Sequence, residues 1–163
     1  MGMPLPSAFH HTAFLVRDLE ASAERMADAL GIGPWEVRTI VPEWSRVRGR
    51  EQAFSFRVAV CAVGGAAYEL VAPHTGRSVV DEELERRGEG FHHSCLFYPT
   101  LAELRAARAE LLRQGRIAVQ EAGIGTALEF VYFDFPELGS LVELLYLDGS
   151  QLGPPDRVIV PRG

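Results

Sequence analysis

A stretch near the start of this chain occurs twice. Phe9-His10-His11-Thr12-Ala13-Phe14-Leu15-Val16 returns as Phe91-His92-His93-Ser94-Cys95-Leu96-Phe97-Tyr98, and both histidines recur 82 positions on. Each copy leads to a second shared phrase, Ala67-Tyr68-Glu69-Leu70-Val71 after the first and Leu141-Val142-Glu143-Leu144-Leu145 after the second. A repeat of this period points to a duplicated module of supersecondary size. Two His and two Glu at matching places are the donor types of a metal site.

Composition bounds the rest. With 163 residues, 47% of them hydrophobic and 23% charged, the chain has enough apolar matter for one compact soluble unit. Its net charge of −6 argues against nucleic acid and anionic membrane surfaces as partners, since both attract basic patches. All sixteen basic residues are Arg, which reads as coding bias. Cys61 and Cys95 fall within apolar runs and make no disulfide framework, so a reducing cytoplasm is the expected location. The opening Met1-Gly2-Met3-Pro4-Leu5-Pro6 lacks the charged and apolar regions of a signal peptide, and no apolar run has membrane-spanning length.

The periodicity gives each copy the plan β-α-β-β-β. In the first, a strand over His10–Val16 precedes a helix over Leu19–Leu30, with Asp18 as N-cap and Gly31 as its stop. Leu19, Met26, Ala27 and Leu30 make the expected buried face. Strands follow at Trp35–Val41, Gln52–Val63 and Ala66–Val71, with Gly64-Gly65 as a hairpin turn. Pro42–Arg50 reads as an irregular charged loop, and its extra length in one copy makes it a place for substrate contacts. The polar connector holds a short exposed helix at Ser78–Arg87. The second copy has a strand at His92–Tyr98, a helix from Thr100 to Gln114 with a capping box to Glu103, and strands at Ile117–Glu121, Ala127–Phe135 and Leu141–Leu147. Leu101, Leu104, Ala107 and Leu111 form its buried stripe. A tail follows, with a short strand at Arg157–Val160.

As a set, these phrases resemble the vicinal oxygen chelate (VOC) superfamily of glyoxalases, bleomycin-resistance proteins and extradiol dioxygenases. They are most similar to its methylmalonyl-CoA epimerase and glyoxalase-like branch. The phrases are the two His-His runs, Val16-Arg17-Asp18-Leu19-Glu20, Gly33-Pro34-Trp35, Tyr68-Glu69-Leu70-Val71-Ala72-Pro73 and Gly139-Ser140-Leu141-Val142-Glu143-Leu144. The resemblance implies an α+β fold in which two paired βαβββ modules form one metal-binding cup, the glyoxalase/dihydroxybiphenyl dioxygenase-like fold. A single VOC domain over 1–163 is expected, with a first module at 8–73, a connector at 74–90, a second module at 91–148 and a tail at 149–163.

In that family one His and one Glu or Gln from each module hold a divalent metal, which here implies His11, Glu69, His93 and Glu143 as ligands and Zn, Ni, Co, Mn or Fe as the ion. Strand geometry agrees with the second His of each pair, because successive side chains face opposite ways. His10 and His92 are then non-ligands. The buried carboxylates Glu69 and Glu143 also need a partner to offset desolvation, and the need arises twice.

The chemistry implied is that of an isomerase or lyase: proton abstraction next to a metal-chelated carbonyl, through an enolate, with Glu143 and Glu69 as candidate catalytic bases. Glu43 and Glu51 are reserve bases. Epimerases of this kind carry an acid near the segment Arg46-Val47-Arg48-Gly49-Arg50-Glu51-Gln52, where this chain has arginines. Arg46, Arg48, Arg50 or Arg57 are therefore candidates to meet an anionic substrate. Arg57, Glu51 and Tyr132 are taken as substrate-binding residues. The expected partners are a small molecule with vicinal oxygens or a thioester, and a second copy of the chain in a homodimer. An Fe(II) dioxygenase and a non-catalytic antibiotic-binding module are the alternatives.

Overall fold

The computed structural model describes residues 2–163; Met1, the first residue of the expected domain, lies outside them. In chain order the elements are β1 (Ala8–Leu15), α1 (Leu19–Leu30), β2 (Trp35–Ile40), β3 (Trp44–Val47), β4 (Arg50–Glu51), β5 (Ser55–Val63), β6 (Ala66–Thr75), α2 (Val79–Arg87), β7 (Gly90–Phe97), α3 (Leu101–Arg113), β8 (Ala118–Ile124), β9 (Leu128–Phe135), β10 (Ser140–Leu147) and β11 (Arg157–Ile159). They fall into two compact units, one of residues 11–41, 54–92 and 154–163, the other of residues 2–10, 42–53 and 93–153. Both have the β-α-β-β-β plan read from the repeat.

In the first unit the strand order is β11-β2-β5-β6-β1, with β1 parallel to β6 and the other pairs antiparallel. Helix α1 starts where Asp18 accepts from the Ala21 amide and stops where Gly31, at φ 66°, donates back to Ala27. Glycine is favoured there because a Cβ in the left-handed region is strained. The helix lays Leu19, Ala23 and Ala27 on Trp35, Val37, Ala59, Cys61, Leu70 and Ala72. That row corrects the expected face: Met26 is only partly buried and Leu30 is 58% exposed. The sheet accepts the i, i+4 row whose alanines permit close approach, and apolar character alone does not single out that row.

Arg57 lies on this same helix-bearing face, in register with Thr39 and Ala72. Its guanidinium donates to Glu20 from Nη2 at 2.6 Å and Nη1 at 3.1 Å. Arg57 therefore ties β5 to the first turn of α1. Hydrogen bonding from Arg57 holds the Glu20 carboxyl below its ordinary value of 4.5. A depressed folded pKa stabilises above the unfolded value and ceases to do so as pH falls through the folded one. Glu20→Gln should therefore flatten the loss of stability that begins near pH 4.5 and continues below it. Urea midpoints measured across that range would check this, and an unchanged acid limb would refute it.

The connector helix α2 opens with a capping box between Ser78 and Asp81. Its charges include the i, i+4 pair Glu83–Arg87 at 2.8 Å, but Val79, Val80 and Leu84 are buried, so it is not the wholly exposed helix expected.

In the second unit the order is β7-β10-β9-β8-β3-β4, with β7 parallel to β10. Thr100 caps α3 by accepting from the Glu103 amide, and its hydroxyl donates to the Glu103 carboxylate at 2.7 Å. Leu104, Ala107 and Leu111 pack on Tyr98, Val131, Phe133 and Leu144. The expected irregular loop is instead the β3–β4 hairpin, paired onto β8 through Trp44↔Gly123 and Arg46↔Glu121. Its turn residues Arg48 and Gly49 both have positive φ, 49° and 77°, which matches the twist of a two-residue hairpin. Gly123 makes room for the Trp44 indole, since a Cβ there would meet Nε1 at 2.5 Å. The hairpin's charge is accommodated as well: buried Glu121 accepts from Arg46 at 3.4 Å and from Arg108 of α3 at 2.6 Å. Both cysteines are buried thiols, and burial pushes Cys61 upward in pKa.

Candidate functional site

Strand register sorts the candidate residues by face, because partners across a ladder share a face and successive residues alternate. In the first unit His11, Ala13 and Leu15 of β1 align with Ala67, Glu69 and Val71 of β6. His11 and Glu69 thus share the face opposite α1. The same face continues through Val60 and Val58 of β5 to Glu36 and Arg38 of β2. His11 is 2% exposed, and its Nε2 lies 3.6 Å from Glu69 Oε1.

The second unit repeats the arrangement. His93 and Cys95 of β7 align with Leu141 and Glu143 of β10, and the row runs on from Glu143 to Tyr132 of β9, Gln120 of β8 and Val47 of β3. His93 is fully buried and Glu143 is 5% exposed; their Nε2 and Oε2 atoms are 2.9 Å apart. The Tyr132 ring tilts against the His93 imidazole with centroids 4.8 Å apart, and Phe130 adjoins Tyr132 at 5.2 Å.

Each unit therefore carries one imidazole–carboxylate pair on the face away from its helix. Two ligands of one first-row ion, each about 2.0–2.2 Å from the metal, stand about 3.0–3.5 Å apart. The two donor separations, 3.6 Å and 2.9 Å, lie just above and just below that range, and only the shorter is within direct hydrogen-bond reach. Within each unit, an imidazole and a carboxylate are donor types such ions take. The residues present fit the metal.

Other expected residues are placed differently. Glu51 aligns with Arg46, which aligns with Glu121 on the α3 side, so Glu51 lies exposed on the face opposite Tyr132, Gln120 and Glu143. Glu43 accepts from the Gly125 amide at 2.9 Å and so braces the turn after β8. Of the loop arginines, Arg46 reaches Glu121 and the Trp44 ring, while Arg50 is exposed in register with Val47. His10 is partly buried against the Phe97 ring at 5.8 Å, and His92 is wholly buried.

Polar residues on these faces that were not anticipated include Gln120, 1% exposed beside Tyr132, and Glu36 and Arg38 on β2. The signal existed for β2, where Trp35, Val37 and Thr39 alternate with Glu36, Arg38 and Ile40. For Gln120 a register shift between Ala118 and Gln120 breaks the alternation from which its face would be read.

The model of the Glyoxalase/Bleomycin resistance protein/Dioxygenase superfamily matches residues 10–133. The chain belongs to that superfamily. No curated protein matches the sequence. Among solved structures, the methylmalonyl-CoA epimerase from Mycobacterium tuberculosis is similar at 25% identity and a TM-score of 0.62, over 92% of this chain and 94% of that one. A methylmalonyl-CoA epimerase in complex with methylmalonyl-CoA and ammonium is 20% identical with a TM-score of 0.61, covering 88% of this chain and 96% of its own. A Streptomyces coelicolor methylmalonyl-CoA epimerase variant in complex with 2-nitronate-propionyl-CoA, also 20% identical, has a TM-score of 0.60 and covers 93% and 99%. These likenesses agree with the glyoxalase-like α+β fold. Among the described residues, no helix is long and apolar enough to cross a membrane.

Proposed function

We propose that this superfamily member is a metal-dependent isomerase or lyase that removes a proton from the carbon beside the carbonyl of a small acyl compound, with CoA thioesters the first class to test. One observation carries the reading: His–carboxylate pairs, the first partly buried at its carboxylate and the second buried, occur at repeat-matched positions, His11–Glu69 and His93–Glu143. His11, Glu69, His93 and Glu143 together would hold one divalent ion, which supplies Lewis acidity toward a carbonyl oxygen.

The chain's own residues do the rest. Glu143 is the base: its carboxylate takes the proton from the α-carbon and returns it to the same or the opposite side. Its burial beside the aromatic rings of Tyr132 and Phe130 limits water and so strengthens its interaction with a bound carbon acid. Val58 and Val60 give the first unit an apolar wall beside Glu69.

The test begins with metal content of protein purified without chelator. It continues in deuterium oxide with methylmalonyl-CoA and a hemithioacetal as substrates. One metal per chain and deuterium at the α-carbon are expected. Turnover with oxygen uptake and no exchange would replace this reading with a dioxygenase; tight small-molecule binding without metal would replace it with a binding module.

A further inference from the structure

Arginines from three parts of the second unit converge on one cavity. Arg46 and Arg48 come from the β3–β4 hairpin, Arg108 from α3 and Arg116 from the turn between α3 and β8, around a space of about 540 Å³. Glu121 is the carboxylate in that lining. It accepts from Arg108 at 2.6 and 2.9 Å and from Arg46 at 3.4 Å, so one negative charge serves two guanidiniums. Arg116 is held by Glu137, at 2.9 Å from Nη1, and by the Phe135 ring, whose centroid is 4.3 Å away. Arg48 stands exposed at the hairpin turn. Even with Glu137 counted, guanidiniums outnumber carboxylates here by two to one, in a chain whose net charge is −6. The ion pairs therefore fix the positions of these cations without neutralising the cavity. A cleft lined by one sign of charge concentrates its potential on an ion of the other sign.

The lining also says what kind of anion suits it. Cations arriving from several directions match the many oxygens of a phosphate chain better than the two coplanar oxygens of a lone carboxylate. Leu112 and Ile117, 40% and 62% exposed, line the same cavity and offer apolar surface to an organic group carried by the phosphates. The volume is within the range of about 300–1,000 Å³ typical of small-molecule sites. Arg46 and Glu121 lie on the α3 side of the sheet, whereas Glu143 and Tyr132 belong to rows of the other side. We propose that this cavity binds the phosphate chain of a polyphosphate, as a second ligand distinct from the compound that meets Glu143. The proposal does not depend on the metal-dependent reading above.

The experiment is calorimetry on the full chain with tripolyphosphate and with ATP as probes, at about 0.1 M salt, where charges farther apart than about 10 Å are screened. One site per chain is expected. Arg48→Asn removes a charge with a residue that tolerates positive φ, and it should weaken both probes by about 3–10-fold, as should Arg116→Gln. Arg116→Lys should keep most of the affinity, and it decides the matter if Arg116→Gln fails to fold. Arg113→Gln is the control: it removes the same charge from the end of α3, where Arg113 is 73% exposed, pairs with Glu110 and is not part of the lining. Tighter binding of ATP than of tripolyphosphate identifies an organic phosphate resting on Leu112 and Ile117; equal binding identifies a free polyphosphate. No binding of either probe, or a loss in Arg113→Gln as large as in Arg48→Asn, overturns the proposal. Complete displacement of ATP by one equivalent of propionyl-CoA per chain would also overturn it, since the cavity would then serve the thioester's own phosphates.

Discussion

Replacing Glu143 with Gln should lower turnover by about 10²–10⁴-fold while the metal stays bound, the range that general-base catalysis contributes. Gln has nearly the shape of Glu, and its carbonyl oxygen can still meet the His93 imidazole, which stands 2.9 Å from the present carboxylate. What the amide lacks is basicity. Metal affinity should weaken somewhat, because a charged ligand becomes neutral, so the comparison must be made at saturating metal. Glu69→Gln serves as the control. The family pattern admits Gln at that place, and the Glu69 carboxylate stands farther from its histidine, at 3.6 Å. Its loss should be the milder by an order of magnitude or more. Equal losses in the two variants would mean that both carboxylates act only as ligands, and full activity in Glu143→Gln would remove Glu143 from the base role.

Leu19→Ala should destabilise the chain by about 2–5 kcal/mol, the range for emptying a buried leucine site. Leu30→Ala, eleven positions on in the same helix, should change stability by less than about 0.5 kcal/mol. Leu19 is 2% exposed within the α1–sheet core and Leu30 is 58% exposed. At this chain length each kcal/mol corresponds to about 2–4 °C in melting temperature, so the pair separates easily by thermal or urea unfolding. A large cost at Leu30 would mean that the apolar periodicity, which gives both leucines one face, describes the packing better than the α1–sheet contacts do. It would also mark Leu30 as covered in solution, as a homodimer contact would do.

How much of this was legible beforehand follows from the range of the interactions involved. The caps Asp18, Ser78 and Thr100 act on amides three residues away, so Leu19–Leu30 is a helix in the sequence and in the structure alike. The repeat with its His and Glu positions was likewise readable, because duplication keeps spacing; the register between β1 and β6 and between β7 and β10 then puts His11 with Glu69 and His93 with Glu143 on one face. Tertiary structure decided the rest through partners that no local window contains. The charged run Trp44–Val47 became a strand because β8 offers it Gly123 for Trp44 and Glu121 for Arg46, a residue 75 positions away. Arg57 became a brace because Glu20, 37 positions earlier, stands above its face of β5, whereas Arg38 was left on the face of His11 and Glu69. A strand's alternation tells that two side chains point apart; only the packed helix tells which of those two directions is the core and which is the site.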